Sequence, residues 1–405
     1  MEYKGIPYLQ QKLIMKLPRI MKRYLFYEMK NHTVDFGIST PPDLRYWNAV
    51  IGWPAKGVDA LADRLEFKEF RNDDFGIGTI FDLNNRDILI NSAILCALIT
   101  SCSFIYIAED ETGYPRMQVI DGGNATGIID PITMMLHEGY AVLERNQFGQ
   151  PVREAYFTYE YTAYYELGKL VEERPNRASY PLLVPIIFRP DAVRPFGHSR
   201  ISRAGMSITG SAMRTIKRSE ISAEFYSFPQ KWATGIDQEA EKTIEKWTAA
   251  MSAMMTFSLG ENGSDNTKVG QFSQQSMEPH LAQLRMFASL FGAETGLTLD
   301  DLGFPSENPS SADAIKAAHE NLRLTATHAH KAFGVGLLNA GFLAACLRDD
   351  VKYLRYQLYR TKPAWYPAFT ADASTLGAVG DGLAKIAQSF PDYITPEMIF
   401  DLTGV

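Results

Sequence analysis

SSADAIKAAHENLRLTATHAHKAFGVGLLNAGFLAACLR, residues 310–348, is the stretch on which the fold turns. Ala312, Ile315, His319, Leu322, Ala326, Ala329, Phe333, Leu337, Ala340, Ala344 and Leu347 recur at helical spacing. Ser310 with Asp313 resembles a capping box. The spacing therefore predicts one helix of roughly 58 Å at 1.5 Å per residue. Gly334, Gly336 and Gly341 lie inside it and predict a bend. A helix of this length needs partners from the rest of the chain to cover its apolar stripe.

Working outward, LTLDDLGFPSENPS (297–310) is rich in turn formers. Before it, Met277, Leu281, Leu284, Ala288 and Phe291 mark a helix from a Ser276 N-cap to a stop at Gly296. A compact α/β insert comes earlier still: strand QKWATGI, helix DQEAEKTIEKWTAAM (237–251), strand MTFSLG, a polar loop and strand KVGQF. Ahead of the insert, Ile208, Ala212, Ile216, Ile221, Phe225 and Phe228 form a helical stripe ended by Pro229, with Arg214, Lys217 and Arg218 on another face. The amino-terminal half begins with an amphipathic helix over Tyr8–Met29, bent at Pro18, and a second helical region over about Asp82–Ser101. Alternation then predicts the hairpin SFIYIAED/RMQVIDG around Glu111-Thr112-Gly113, and a meander of GYAVLERN, REAYFTYEYTAYYEL and PLLVPIIF. The tail reads as a strand near Lys362–Ala368 and helices over Thr375–Ser389 and Thr395–Leu402. The fold class is α+β.

With 405 residues, 46% hydrophobic and 21% charged, the chain is expected to fold throughout into two or three substructures. Cys96, Cys102 and Cys346 form no CxxC pair, which argues for buried free thiols rather than a zinc cluster. The amino terminus has no signal-peptide pattern. The apolar run Ile88–Ile107 is interrupted by Asn91, Ser92, Thr100, Ser101 and Ser103, so a buried helix leading into a buried strand is expected there and no membrane partner. Net charge is -7, which excludes a generally basic nucleic-acid binder. The order of charge is uneven: residues 189–231 are base-rich, and residues 278–320 are acid-rich.

No arrangement that carries catalysis emerges. His319-Glu320 lacks the second histidine of a zincin motif, and His328 and His330 are two apart on a helix and point away from one another. Gly260 and Gly263 lack the Lys-Ser/Thr of a phosphate loop. Glu109, Asp110 and Glu111 crowd a hairpin tip, and Ser199 and Ser202 near His198 have no nucleophile-elbow spacing. The chain reads as no enzyme, with no cofactor and no metal.

The stretch from Pro185 to Glu320 resembles the portal proteins of long-tailed bacteriophages, the head-to-tail connectors. VPIIFRPDAVRPFGHSRIS, AEFYSFPQKWATG, KVGQF and LGFPSENPSSADAIKAAHENL carry the resemblance. Gly197-His198-Ser199 stands where the family has Gly-Arg-Ser. The resemblance implies a mixed α/β wing (1–200), a stem helix (201–228), a small α/β clip (229–275) and a second stem helix (276–296). It further implies a tunnel loop (297–309), a long bent helix returning to the wing (310–370) and a short helical crown (371–405). It also implies a ring of about twelve subunits that passes double-stranded DNA. Terminase, head-completion or adaptor proteins, capsid and scaffolding proteins are the implied partners, in a virion assembled in the bacterial cytoplasm.

A conduit must avoid gripping phosphate, because tight contacts release counterions and hold DNA still. Asp300, Asp301, Glu307 and Asn308 would line the constriction, while Arg214, Lys217 and Arg218 would make loose backbone contacts or pair with acids such as Glu220. Trp232, Trp247 and Lys268 are candidate docking residues in the insert, core packing being the stronger expectation for the tryptophans. A non-conducting structural scaffold and an enzyme with scattered residues are the competing classes.

Overall fold

The long helix organises the molecule. The structure, a computed structural model, describes residues 3–34, 45–227, 231–236, 254–258, 268–271, 276–305, 317–369, 373–390, 394–395 and 398–399. Its helices are α1 (Gly5–Tyr27), α2 (Trp53–Ala62), α3 (Ile77–Asp82), α4 (Arg86–Thr100), α5 (Arg203–Ser227), α6 (Glu278–Thr295), α7 (Glu320–Asp349) and α8 (Ala373–Ser389). Its strands are β1 (Phe67–Arg71), β2 (Cys102–Glu109), β3 (Pro115–Ile120), β4 (Ala125–Ile129), β5 (Leu136–Arg145), β6 (Pro151–Phe157) and β7 (Tyr161–Glu166). They continue with β8 (Lys169–Pro175), β9 (Leu183–Ile187), β10 (Lys231–Ile236), β11 (Met254–Ser258), β12 (Lys268–Gln271) and β13 (Lys362–Trp365). The fold is α+β.

Helix α7 is the core's spine. Leu322, Ala326, Ala329, Phe333, Leu337, Ala340 and Ala344 are buried along it, as their spacing requires. Fully burying side chains such as Phe333 and Phe342 contributes about 1.5–3 kcal/mol each. By composition α7 is apolar enough to cross a membrane, yet 78% of that apolar window is buried inside the protein, as in a core helix. The three glycines do not interrupt it: helical hydrogen bonding runs unbroken from Glu320 to Asp349. Their role is close approach, because a Cβ at Gly336 would lie 2.7 Å from Ile186 Cδ1 and one at Gly341 2.1 Å from Ile77 Cγ2. The onset at Ser310 lies outside the described residues.

Two antiparallel sheets pack with these helices. One has the order β3-β2-β9, and the other runs as the meander β4-β5-β6-β7-β8. The hairpin β2–β3 turns at Gly113, whose φ of 81° is one that glycine adopts freely. Helix α4 runs into β2, the buried helix-then-strand that the apolar run demanded. The stretch 153–167 divides into β6 and β7 at a turn with neither Gly nor Pro. Thr158 makes that turn, its hydroxyl accepting from the Tyr161 amide at 2.9 Å. A second, smaller core joins Leu9 and Leu13 of α1 to Tyr140, Val142 and Tyr156 of the meander. A third sheet, β1-β13, ties residues 67–71 to residues 362–365.

Between α5 and α6, β10 lies in the centre of a small sheet, parallel to β11 and antiparallel to β12. Parallel neighbours need a long crossover connection. The helix read at 237–251 and the terminal helix read at Thr395–Leu402 lie largely outside the described residues.

Candidate functional site

Helices α5 and α6 form an antiparallel pair, since Thr215 hydrogen-bonds Gln283 (3.1 Å) while Ser222 lies against His280 (3.4 Å) nearer the other end. Small residues allow the approach at the pair's base. A Cβ on Gly205 of α5 or Gly57 of α2 would stand 3.5 Å from the Phe291 ring of α6. Trp53 of α2 also meets that ring, at 5.8 Å between centroids.

The segment Arg194–Ile201 couples this pair to the strands. Gly197 has φ 71°, and a Cβ there would strike the Phe188 carbonyl at 2.1 Å, so both conformation and space demand glycine. The His198 amide donates to that same carbonyl (2.9 Å), and its imidazole Nε2 faces Asp191 Oδ2 at 2.6 Å. This contact holds the Asp191 carboxyl below its ordinary pKa, helped by the Arg194 amide. The Ser199 hydroxyl donates to the Ile99 carbonyl (2.6 Å) at the end of α4. These contacts bind the segment to the Phe188 carbonyl on one side and to the end of α4 on the other.

Arg200 is the residue there that sequence reasoning missed. Its amide donates to the Leu98 carbonyl (2.8 Å), its Nε to the Gly57 carbonyl (3.1 Å), and its Nη2 to the carbonyl of Thr295, the last residue of α6. A cation at a helix carboxy-terminus meets the negative end of the macrodipole and orphan carbonyls. Burial pulls its pKa down to about 10, which still leaves the guanidinium charged at neutral pH. One side chain thereby clamps α2 and α6 beside the end of α4.

The basic trio divides. Lys217 is only 6% exposed, and its ammonium donates to the Arg45 carbonyl at 2.9 Å. Arg214 is half-buried with Nη2 on the Ser211 hydroxyl (2.8 Å), and Arg218 is half-buried. The structure therefore spends Lys217 on holding the 45 region against α5 and leaves the two arginines nearer the surface.

The acid-rich segment follows α6 as a tight turn at Asp300–Leu302. Asp301 caps it, its Oδ2 accepting from both the amide and the hydroxyl of Thr298 at 2.9 Å. Asp300 is exposed. Glu307, Asn308 and Trp247 lie outside the described residues; Trp232 sits on β10 and Lys268 on β12. Among the described residues no group of three or more His, Cys, Asp or Glu could hold a metal ion.

No family model matches the chain. It is similar in sequence to the portal protein of Mycobacterium phage L5, 24% identical over 322 residues, and to that of Mycobacterium phage D29, 25% identical over 329 residues. Each match covers 73% of this chain and 65% of the relative, so the chain matches somewhat under two thirds of the relatives' length. Among solved structures it is similar to a chain in the neck of a native GTA particle computed with C12 symmetry (TM-score 0.46, 14% identity, 86% of this chain and 89% of that one). It is similar also to a chain in the virion of a native gene transfer agent particle (TM-score 0.47, 13% identity, 95% of this chain and 99% of that one).

Proposed function

We propose that this chain, a sequence relative of mycobacteriophage portal proteins, is itself a portal subunit. In this reading about twelve copies form a ring at one capsid vertex, through which double-stranded DNA is packed and later ejected. The observation that carries it is the similarity to two proteins so named over 322 and 329 residues. The sheets of β1–β9 and β13, α1–α4 and α7 would be the wing, α5 and α6 the stem, and β10–β12 the clip that meets terminase and then head-completion proteins. Residues 297–309 would be the tunnel loop, and residues from 371 the crown. Translocation work would come from a separate ATPase, with this chain as structural channel in the virion, assembled beside capsid and scaffolding proteins in the host cytoplasm.

The electrostatic task then falls to few residues. Exposed Asp300 would repel the duplex at the constriction, while Arg214 and Arg218 would offer contacts weak enough to slide and sensitive to salt. Asp301 serves its own turn first, so its replacement would disturb the loop as well as the charge. The first experiment is electron microscopy of the purified protein: rings with a central hole are expected, and a monomer at every concentration overturns the proposal. The second is Asp300→Lys, expected to reduce DNA packaging while rings still form; undiminished packaging refutes the repulsive role.

A further inference from the structure

One face of α1 carries Lys12, Lys16, Arg19 and Arg23 at spacings of four, three and four, which places them in one row. With Arg194 they line a cavity of about 490 Å³ between α1 and the junction segment. Among the described residues no carboxylate lines that cavity, although the chain as a whole is acidic. Inside the subunit these cations meet dipoles and rings. Lys12 donates to the Gly127 carbonyl (2.7 Å), Lys16 to the Ala125 carbonyl (2.5 Å), and Arg23 to the Thr100 carbonyl (2.8 Å). Lys12 and Lys16 also lie over the Phe196 and Phe104 rings. The acid acting on Lys16 is Asp121, already accepting from the Tyr24 hydroxyl and the Gly123 amide. Burial depresses the pKa of both lysines. A row of like charges at i, i+4 opposes the helix that carries it unless an anion arrives.

Pro195 also lines a second cavity, of about 550 Å³, whose walls are apolar at Ile129, Pro185, Ile187 and Val335 and include one carboxylate, Asp191, which His198 faces. Ile14, Met15, Met21 and Leu25 stand exposed on α1. Lys12, Lys16 and Arg23 are half-buried and only Arg19 stands exposed, so little of the row is open to the phosphates of a duplex, and it borders apolar surface. A narrow segment with carboxylates followed by apolar side chains fits both halves.

We propose that the paired cavities receive an acidic, apolar segment of a second copy of this chain, forming one heterologous contact of the ring. Local charge complementarity favours that occupant, since a neighbouring copy carries an acid-rich stretch over residues 278–320. The inference rests on the portal reading, because head-to-tail contacts of this kind close only into a ring. Rings assembled from equal parts of ¹⁴N- and ¹⁵N-labelled full-length chain and treated with a carbodiimide should yield Lys12 joined to an Asp or Glu peptide of the other label. Links confined to one label assign the cavity to the subunit's own chain and overturn the proposal. In Lys12→Glu/Arg19→Glu, and more mildly in Arg19→Gln, the concentration for half-assembly should rise more than tenfold and by less, respectively, with the subunit's circular dichroism unchanged. Assembly like that of the wild type overturns this contact and leaves the portal reading standing, whereas a wild type that never assembles overturns both. Retention of a short DNA duplex that is lost in Arg19→Gln without change in assembly assigns the cleft to nucleic acid and likewise overturns it.

Discussion

Replacing Gly341 by alanine sets helix propensity against packing, and the structure decides the sign. Alanine is better than glycine inside a helix by about 0.8–1.0 kcal/mol. Its Cβ, however, would lie 2.1 Å from Ile77 Cγ2 and 3.3 Å from Phe81. Ile77 cannot step aside cheaply, because it is β-branched and opens α3 under two restraints. Asp73 caps the helix through the Ile77 and Gly78 amides at 2.9 and 2.7 Å, and Arg348 of α7 grips the Phe75 carbonyl at 2.8 Å. Overpacking a fixed core costs about 1–3 kcal/mol, and the 2.1 Å contact puts this site at the upper end, so after the helix gain Gly341→Ala should destabilise by about 1–2 kcal/mol in urea unfolding. Ile77→Ala removes the obstructing methyl, so the double variant should lose about 1 kcal/mol less than the sum of the single changes. Gly380 of α8, with nothing within 4 Å of its would-be Cβ, is the control, and Gly380→Ala should stabilise by about 0.5–1 kcal/mol. A Gly341→Ala protein as stable as the parent would refute the reasoning.

Arg200→Met removes the clamp between α2 and α6 and leaves the Gly57 and Thr295 carbonyls without that donor; a loss of about 2–4 kcal/mol is expected in chemical denaturation, and a loss within 0.5 kcal/mol would contradict the role. Asp110 accepts from Thr112, Tyr114 and Arg116, with the Thr112 hydroxyl foremost, which holds its pKa down to about 2 from 3.8. A depressed carboxylate stabilises above its unfolded pKa, so the thermal midpoint gap between the parent and Asp110→Asn should be full above about pH 4 and close towards pH 2. A gap independent of pH would refute it. Burial raises the pKa of all three thiols, Cys96 to about 11, so at pH 8 a thiol reagent should label them slowly in the folded chain and rapidly in urea. Fast native labelling would show the burial to be wrong.

Spacing made the helices legible where an apolar stripe meets a core, as in α1, α5, α6 and α7. It failed where the signal was absent or ambiguous. Strand β8 is exposed along its whole length, so it shows no alternation, and the turn at Thr158 uses a hydroxyl where glycine or proline would have announced it. The glycines of α7 were visible, but their close approach to Ile77 and Ile186 depends on chain more than a hundred residues away. The same limit governs the site. Lys217 looked like a surface cation on a polar face, yet its acceptor is the carbonyl of Arg45, 172 residues distant. The motif Gly197-His198-Ser199 beside Arg200 was visible in the sequence, while the partners of Arg200 at Gly57 and Thr295 came only with the fold. The row at Lys12, Lys16, Arg19 and Arg23 was present at helical spacing, hidden by the mixed charge of the segment around it.

The pairing of β1 with β13 has a consequence for synthesis. Residues 67–71 leave the ribosome early, but their sheet partner is residues 362–365, and the helix that fills the same core is α7. A nascent chain that stops before residue 320 therefore carries an open strand edge and an unfilled interior, however completely the earlier hairpins have formed. The early-made half waits on the late-made one. A truncated product is for that reason unable to finish its amino-terminal layer, and the topology itself withholds the completed core from incomplete chains.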